Sequence, residues 1–267
     1  MNVGAQDPGE IDDSTDDSRG GLAQGEVHVW AASLVQSASI LGLLRGVLND
    51  EEKRRADRFS FEKGRRQFTV ARGLLRILLG NYLSTDPRHI DFRYNPYGKP
   101  ELAHDSGAGG VRFNLSHSGE VVLFAVSLDR EVGVDVETIR PEFATEAIAE
   151  RFFSPAERAR LRALDPGLRT RAFFTCWTRK EAFIKARGKG MAIPLDAFEV
   201  TLEPNLPAVV VATYDDPEEA KRWSLHELNA EPGYVAALAV AGAPSPIRHR
   251  SLPLPTFLDA YLRANER

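Results

Sequence analysis

Arg151-Phe152-Phe153-Ser154-Pro155-Ala156-Glu157 is the stretch from which the fold is read. Ser154 offers a cap, Pro155 suits the first helical position and Glu157 the third, so a helix starts here. Its opening echoes Arg58-Phe59-Ser60, 93 residues upstream (58 to 151), and an arginine-rich amphipathic helix follows each copy. The echo predicts two similar α/β halves, residues 25–125 and 126–242, with the chemical motifs clustered near their junction.

Working outward, Asn49 and Asp50 offer N-cap chemistry before Glu51 and Glu52. Phe68, Ala71, Leu75, Leu78, Leu79 and Tyr82 recur at helical spacing over 65–82, and a second long helix is expected over 171–185. Strands are expected over 111–115, 121–127 and 132–137, and again near 198–202, 209–213, 223–228 and 234–240. Pro96-Tyr97-Gly98-Lys99-Pro100 is a turn by composition. Residues 1–24 are expected to form a disordered acidic tail. Residues 243–267 read as a proline-rich appendage ending in a short helix over 258–264.

The chain has 267 residues, 43% hydrophobic and 27% charged, enough to bury a proper core. Residues 1–20 hold six acids and one base, so the net charge of −4 leaves the remainder at +1. A nearly neutral body argues against duplex nucleic acid as a partner. No apolar run reaches the roughly 20 residues that span a bilayer, so no membrane association is expected. The single cysteine, Cys176, excludes an intrachain disulfide and favours a reducing, cytoplasmic setting.

Four groups could carry chemistry. On a strand 132–137, Val132, Val134 and Val136 share one face and Asp135 and Glu137 the other. Two carboxylates about 7 Å apart call for a cation such as Mg²⁺ between them, unless the strand is half exposed and its acids merely solvated. Glu181 and Lys185 share a helix face in Trp177–Gly190, as part of a site or as a surface ion pair. Phe113-Asn114-Leu115-Ser116-His117-Ser118 could present donors to a phosphate, or be a polar hairpin. Arg55, Lys99 and a helix face bearing Arg65, Arg72 and Arg76 could hold phosphates, or be solvated cations. Taken together, they match a phosphate-rich ligand bound with Mg²⁺. No Walker loop or Rossmann glycine turn is present.

In order, EEKRRADRF (51–59), YGKP (97–100), FNLSHS (113–118), GVDVE (133–137), RFFSPAE (151–157) and WTRKEAFIKARGKG (177–190) resemble the 4′-phosphopantetheinyl transferases of the surfactin-activating (Sfp) type. The resemblance covers about residues 27–240. It implies an α+β fold, a pseudo-dimer of two similar halves within one monomeric chain, with coenzyme A in the cleft between them. The implied activity is transfer of the 4′-phosphopantetheine arm of coenzyme A to a serine of an apo acyl or peptidyl carrier protein, releasing 3′,5′-ADP.

Asp135, Glu137 and Glu181 match the family's Mg²⁺ ligands, with Mn²⁺ as the alternative metal. Arg55, Lys99, Ser116 and His117 match positions that hold coenzyme A phosphates, and Lys185 matches a lysine near the pyrophosphate. The implied catalytic pair is Glu181, accepting the serine proton, and Lys185, stabilising the leaving 3′,5′-ADP. Where some relatives carry a basic residue two turns before the Arg-Phe pair, this chain has Glu52. Carrier proteins are acidic around the modified serine, so a basic or apolar docking surface near the cleft is also implied.

Overall fold

The chain runs through one order of elements twice. A computed structural model describes residues 21–103, 110–203, 206–252 and 254. Strand β1 (Val27–Ser33) leads into α1 (Ala38–Gly46), α2 (Asp50–Asp57) and the long α3 (Glu62–Leu83), followed by the hairpins β2 (Phe92–Tyr94) with β3 (Pro100–Leu102) and β4 (Val111–Ser118) with β5 (Val121–Leu128). The second pass is β6 (Val132–Thr138), α4 (Glu146–Phe152), α5 (Pro155–Ala163), α6 (Pro166–Arg187), the pair β7 (Phe198–Val200) and β8 (Val210–Thr213), then β9 (Trp223–Leu228) and β10 (Tyr234–Ala241). One further strand, β11 (Ile247–Ser251), follows.

The two sheets share one strand order. The order β1-β5-β4 in the first matches β6-β10-β9 in the second, with β11 added parallel to β1. The register is not the one the Arg-Phe echo suggests. β6 follows β1 at an offset of 105 residues (Val27 to Val132), and α6 follows α3 at 104 (Glu62 to Pro166). Arg58 therefore closes α2 while Arg151 lies in α4, and the two are not equivalent. What repeats is capping chemistry. Asn49 and Ser154 each accept from the backbone three residues on, while Glu52 and Glu157 bond back to the cap.

The boundary of the halves also moves. A division at 125/126 would cut β5, whereas the turn around Asp129, at φ 54°, separates β5 from β6. Part of the expected C-terminal appendage, Ile247–Ser251, is instead a strand of the first sheet. Leu22 packs against the first core, so order begins ahead of Val27. The rest of the acidic tail, residues 1–20, and the expected helix over 258–264 lie outside the described residues.

Strand alternation sorts the side chains into three cores. Trp30, Phe113, Val122, Phe124 and Val126 pack with Leu74, Leu75 and Leu78 of α3. Val235, Ala237 and Ala239 pack with Phe173, Ala182 and Phe183 of α6. Val27, Val29, Leu123 and Ala125 of the first sheet meet Val132, Val134, Val136 and Leu238 of the second. Burying such a side chain contributes about 1.5–3 kcal/mol, so the middle core welds the halves together.

Two of the arginines read as phosphate partners belong to the first core. Arg72 Nε and Arg76 Nε lie 2.5 and 2.6 Å from the carboxylate of buried Glu52. Burial raises the Glu52 pKa, but the bonds from Arg76 and the charge of Arg72 outweigh it and hold it below the ordinary value. Glu157 meets Lys180 in the same way at 2.7 Å, both fully buried. These cations are spent on stitching a short helix to a long one.

Candidate active site

The site lies where the two sheets touch edge to edge. β4 ends one sheet and β6 the other, and side chains rather than backbone pairs join them. Asn114 Oδ1 accepts from the Val134 amide (2.9 Å). Ser116 Oγ donates to Asp135 Oδ1 (2.8 Å) and Ser118 Oγ to Glu137 Oε2 (2.8 Å). Asn114, Ser116 and Ser118 point to one face because they stand two apart on a strand. That spacing was present in the sequence, but the roles of Asn114 and Ser118 as the seam were not drawn from it.

The same face of β6, carrying Gly133, Asp135 and Glu137, lies under α6, while Val132, Val134 and Val136 face the first sheet. Gly133 permits this approach: a Cβ there would collide with the Ala182 carbonyl oxygen and the Ala186 amide. Backbone contact at Gly133 sets Asp135 opposite Glu181 and Lys185. Lys185 Nζ donates to Asp135 Oδ1 (2.6 Å) and to Ser116 Oγ (2.9 Å). Lys185 thus turns to the strand, and no ion pair with Glu181 forms on the helix surface. Trp177, one turn before Glu181, is half-buried against Phe152 and Phe173.

Crowded acids shape the electrostatics. Asp135 is 2% exposed, which rules out a solvated strand face. Burial and then the Asp135 charge raise the Glu137 pKa, against the Ser118 bond and Arg140. Burial and the Asp135 charge also push Glu181 up to about 7, with Lys185 opposing. His117 stands at the rim, its pKa lowered by desolvation and by the Lys185 charge.

The remaining expected ligands stand apart from this cluster. Arg55, exposed on α2, lies over the Phe68 ring at 5.3 Å. Lys99 Nζ bonds Glu131 Oε2 (2.9 Å) and the carbonyls of Val132 and Ala186 (3.2 Å each). Beside it, Asn95 Nδ2 donates to the Gly188 carbonyl (2.7 Å), so the Pro96–Lys99 turn clamps the C-terminal end of α6.

Whether a cation fits can be judged from the acids themselves. Among the described residues, no three His, Cys, Asp or Glu side chains close into a ready-made ligand cage. However, Asp135 Oδ2 is buried without any hydrogen-bond partner. A lone buried acceptor beside two acids of raised pKa is a shortage of positive charge, and the all-oxygen donor set suits a hard divalent ion.

Both halves match family models. Residues 30–129 match the N-terminal 4′-phosphopantetheinyl transferase model, and residues 131–239 match the 4′-phosphopantetheinyl transferase superfamily. The two matches meet at the turn that separates β5 from β6. The chain is 42% identical to the 4′-phosphopantetheinyl transferase HetI of Nostoc sp. over 221 residues, 83% of this chain and 90% of that protein. It is 30% identical to the 4′-phosphopantetheinyl transferase Sfp of Bacillus subtilis, over 73% of this chain and 82% of that one. With the human L-aminoadipate-semialdehyde dehydrogenase-phosphopantetheinyl transferase it shares 29% identity over 77% and 71% of the two chains. A paired-half architecture, acids gathered at the seam and these similarities agree: the chain belongs to the 4′-phosphopantetheinyl transferase family.

Proposed function

We propose that the seam transfers the 4′-phosphopantetheine arm of coenzyme A to a serine hydroxyl of an apo acyl or peptidyl carrier protein, releasing 3′,5′-ADP. One observation carries this reading: Asp135, Glu137 and Glu181 share one partly buried space with Lys185 and Ser116 in a chain of this family.

In the reaction, the serine oxygen bonds to the phosphorus of the arm, and the bond from that phosphorus to the bridging oxygen of the pyrophosphate breaks. Glu181, its pKa raised to about 7 by burial and the Asp135 charge, takes the serine proton in this reading. Lys185 supplies positive charge against the oxygen that leaves with 3′,5′-ADP. Ser116 and His117 line the phosphate side, and Arg55 brings a cation with no carboxylate bound to it among the described residues. The three donors of Lys99 are already engaged, so it offers a phosphate its charge rather than a free N–H.

Asp135, Glu137 and Glu181 would hold a divalent cation, Mg²⁺ or Mn²⁺, whose contribution is to neutralise the charge of the pyrophosphate. No helix among the described residues is long and apolar enough to cross a membrane. The single cysteine, Cys176, is buried and unpaired, which supports a reducing, cytoplasmic setting; in this reading the enzyme is a monomer without nucleic-acid or membrane partners.

The test is to incubate the protein with coenzyme A, MgCl₂ and a panel of apo acyl and peptidyl carriers, and weigh the carriers. The expected result is a gain of one phosphopantetheinyl group. No gain on any carrier, with coenzyme A still bound, would make the chain a binding module. Coenzyme A cleavage without a carrier would make it a hydrolase.

A further inference from the structure

Phe61 stands where folding alone would not put it. It is the N-cap of α3 and makes no capping hydrogen bond. Ser37, Asn49, Thr145 and Ser154 cap their helices through a side-chain oxygen, and Asp165 of α6, although it makes no capping bond, carries a carboxylate that phenylalanine lacks. A phenyl ring offers nothing to an orphan amide, and this one is 81% exposed. Phe59 is 41% exposed and leans on Phe68, their ring centroids 5.6 Å apart.

With Arg58, Lys63 and Gln67, these two rings line a shallow, open concavity at the α2–α3 junction. Among the described residues, Arg58, Lys63 and Arg65 have no carboxylate within ion-pair distance; Glu62 turns to Arg66 and Asp57 to Arg45. Exposed aromatic rings ringed by uncompensated cations are a recognition surface for an acidic partner with an apolar contact point.

The patch borders the acids of the seam. Gln67 Nε2 donates to the carbonyl of Gly119 (2.8 Å), and the preceding residue, Ser118, holds Glu137. One hairpin tip therefore touches both.

We infer that Phe59, Phe61, Arg58 and Lys63 dock the protein substrate, an acidic surface with an apolar side chain at its centre. This rests on the transferase reading, in which that substrate is the apo carrier. Charge complementarity selects it over a basic partner. A shallow, open concavity suits a protein face over coenzyme A, whose adenine and phosphates call for an enclosing cleft.

Phe61→Ser gives α3 a polar cap while removing the ring, and Lys63→Glu reverses a charge. Steady-state transfer to an apo carrier is measured for each, with thermal unfolding alongside. For Phe61→Ser, the KM for the carrier should rise about tenfold, with the KM for coenzyme A, kcat at saturating carrier and Tm held or improved. For Lys63→Glu, the carrier KM should rise and become less sensitive to salt.

Unchanged carrier KM in both variants, with the unmutated protein active, would overturn the docking surface alone. An unmutated protein that modifies no carrier would overturn the activity and the docking surface together. A dimer that becomes a monomer on Phe61→Ser, seen by sedimentation with carrier KM unchanged, would assign the patch to a second copy of the chain and also overturn the proposal.

Discussion

Glu52 and Glu157 occupy the same place in the two halves: each is the third residue of a capped helix, and each is buried against cations of the long helix that follows. In the first half the partners are Arg72 and Arg76, and in the second, Lys180. Burying charge is costly, and pairing compensates only while both partners remain. Glu157 also accepts the Val200 amide at 2.8 Å, tying α5 to β7.

Removing either acid strands the cation. Glu157→Ala leaves Lys180 fully buried without its carboxylate, and Glu52→Ala does the same to Arg76. Each is expected to cost about 3–5 kcal/mol of stability in urea unfolding. A loss below about 1 kcal/mol would show that the pairs are not what hold the short helices to the long ones.

Asp135→Ala should separate chemistry from folding. It removes the acid common to Ser116, Lys185 and the raised pKa values of its neighbours. Carrier modification should fall at least about 100-fold. The Lys185 side chain is 28% exposed and can turn to water, so unfolding free energy should move by less than about 1 kcal/mol. Near-normal turnover would show that the seam acids do not serve the reaction.

The raised pKa of Glu181 has a definite sign. Its folded value, about 7, exceeds the ordinary 4.5, so the fold prefers the neutral acid. That contribution is complete below pH 4.5 and disappears as pH climbs through 7. Adding MgCl₂ should therefore raise Tm more at about pH 8, where the carboxylate is ionised, than at about pH 5.5, where the ion must displace a proton. Glu181→Gln should flatten the difference. It should also lower kcat more than affinity for coenzyme A.

Gly133→Ala tests the contact between β6 and α6. The added methyl meets backbone atoms of Ala182 and Ala186, which cannot swing aside as a side chain can. The helix must shift, carrying Glu181 and Lys185 away from Asp135. A stability loss of about 1–3 kcal/mol and a drop in kcat are expected, with the KM for coenzyme A less affected.

Helix boundaries were legible where caps mark them, since caps are local chemistry, whereas α1 and α4 were not read and α6 begins at Pro166, ahead of the expected 171. Ser154-Pro155-Ala156-Glu157 announces α5 within four residues, and Gly188, at φ 67°, ends α6. The acids of GVDVE and the Glu181/Lys185 face were legible through strand and helix periodicity, and the structure brings them together. The repeat was legible in kind but misplaced in register. Identical letters at Arg58-Phe59 and Arg151-Phe152 outweighed the equivalence of Asn49 with Ser154, which lies in what the side chains do. The fates of Arg72 and Arg76 could not be read locally, since a buried arginine and a solvated one look alike until the helix carrying Glu52 is placed. Lys99 likewise binds groups 32 and 87 residues away.

β11 runs parallel to β1 after the second pass is complete, with Val27 opposite Ile247 and Ala31 opposite Ser251. A segment beyond the second pass thus supplies an outer strand to the unit that was made first. Severing the chain at Asp129 would not yield two self-sufficient pieces, because the leading fragment would be left with a bare flank and the trailing one with a strand belonging to its neighbour. During synthesis, the first unit waits for residues 247–251, made after the whole second pass, before its sheet is whole.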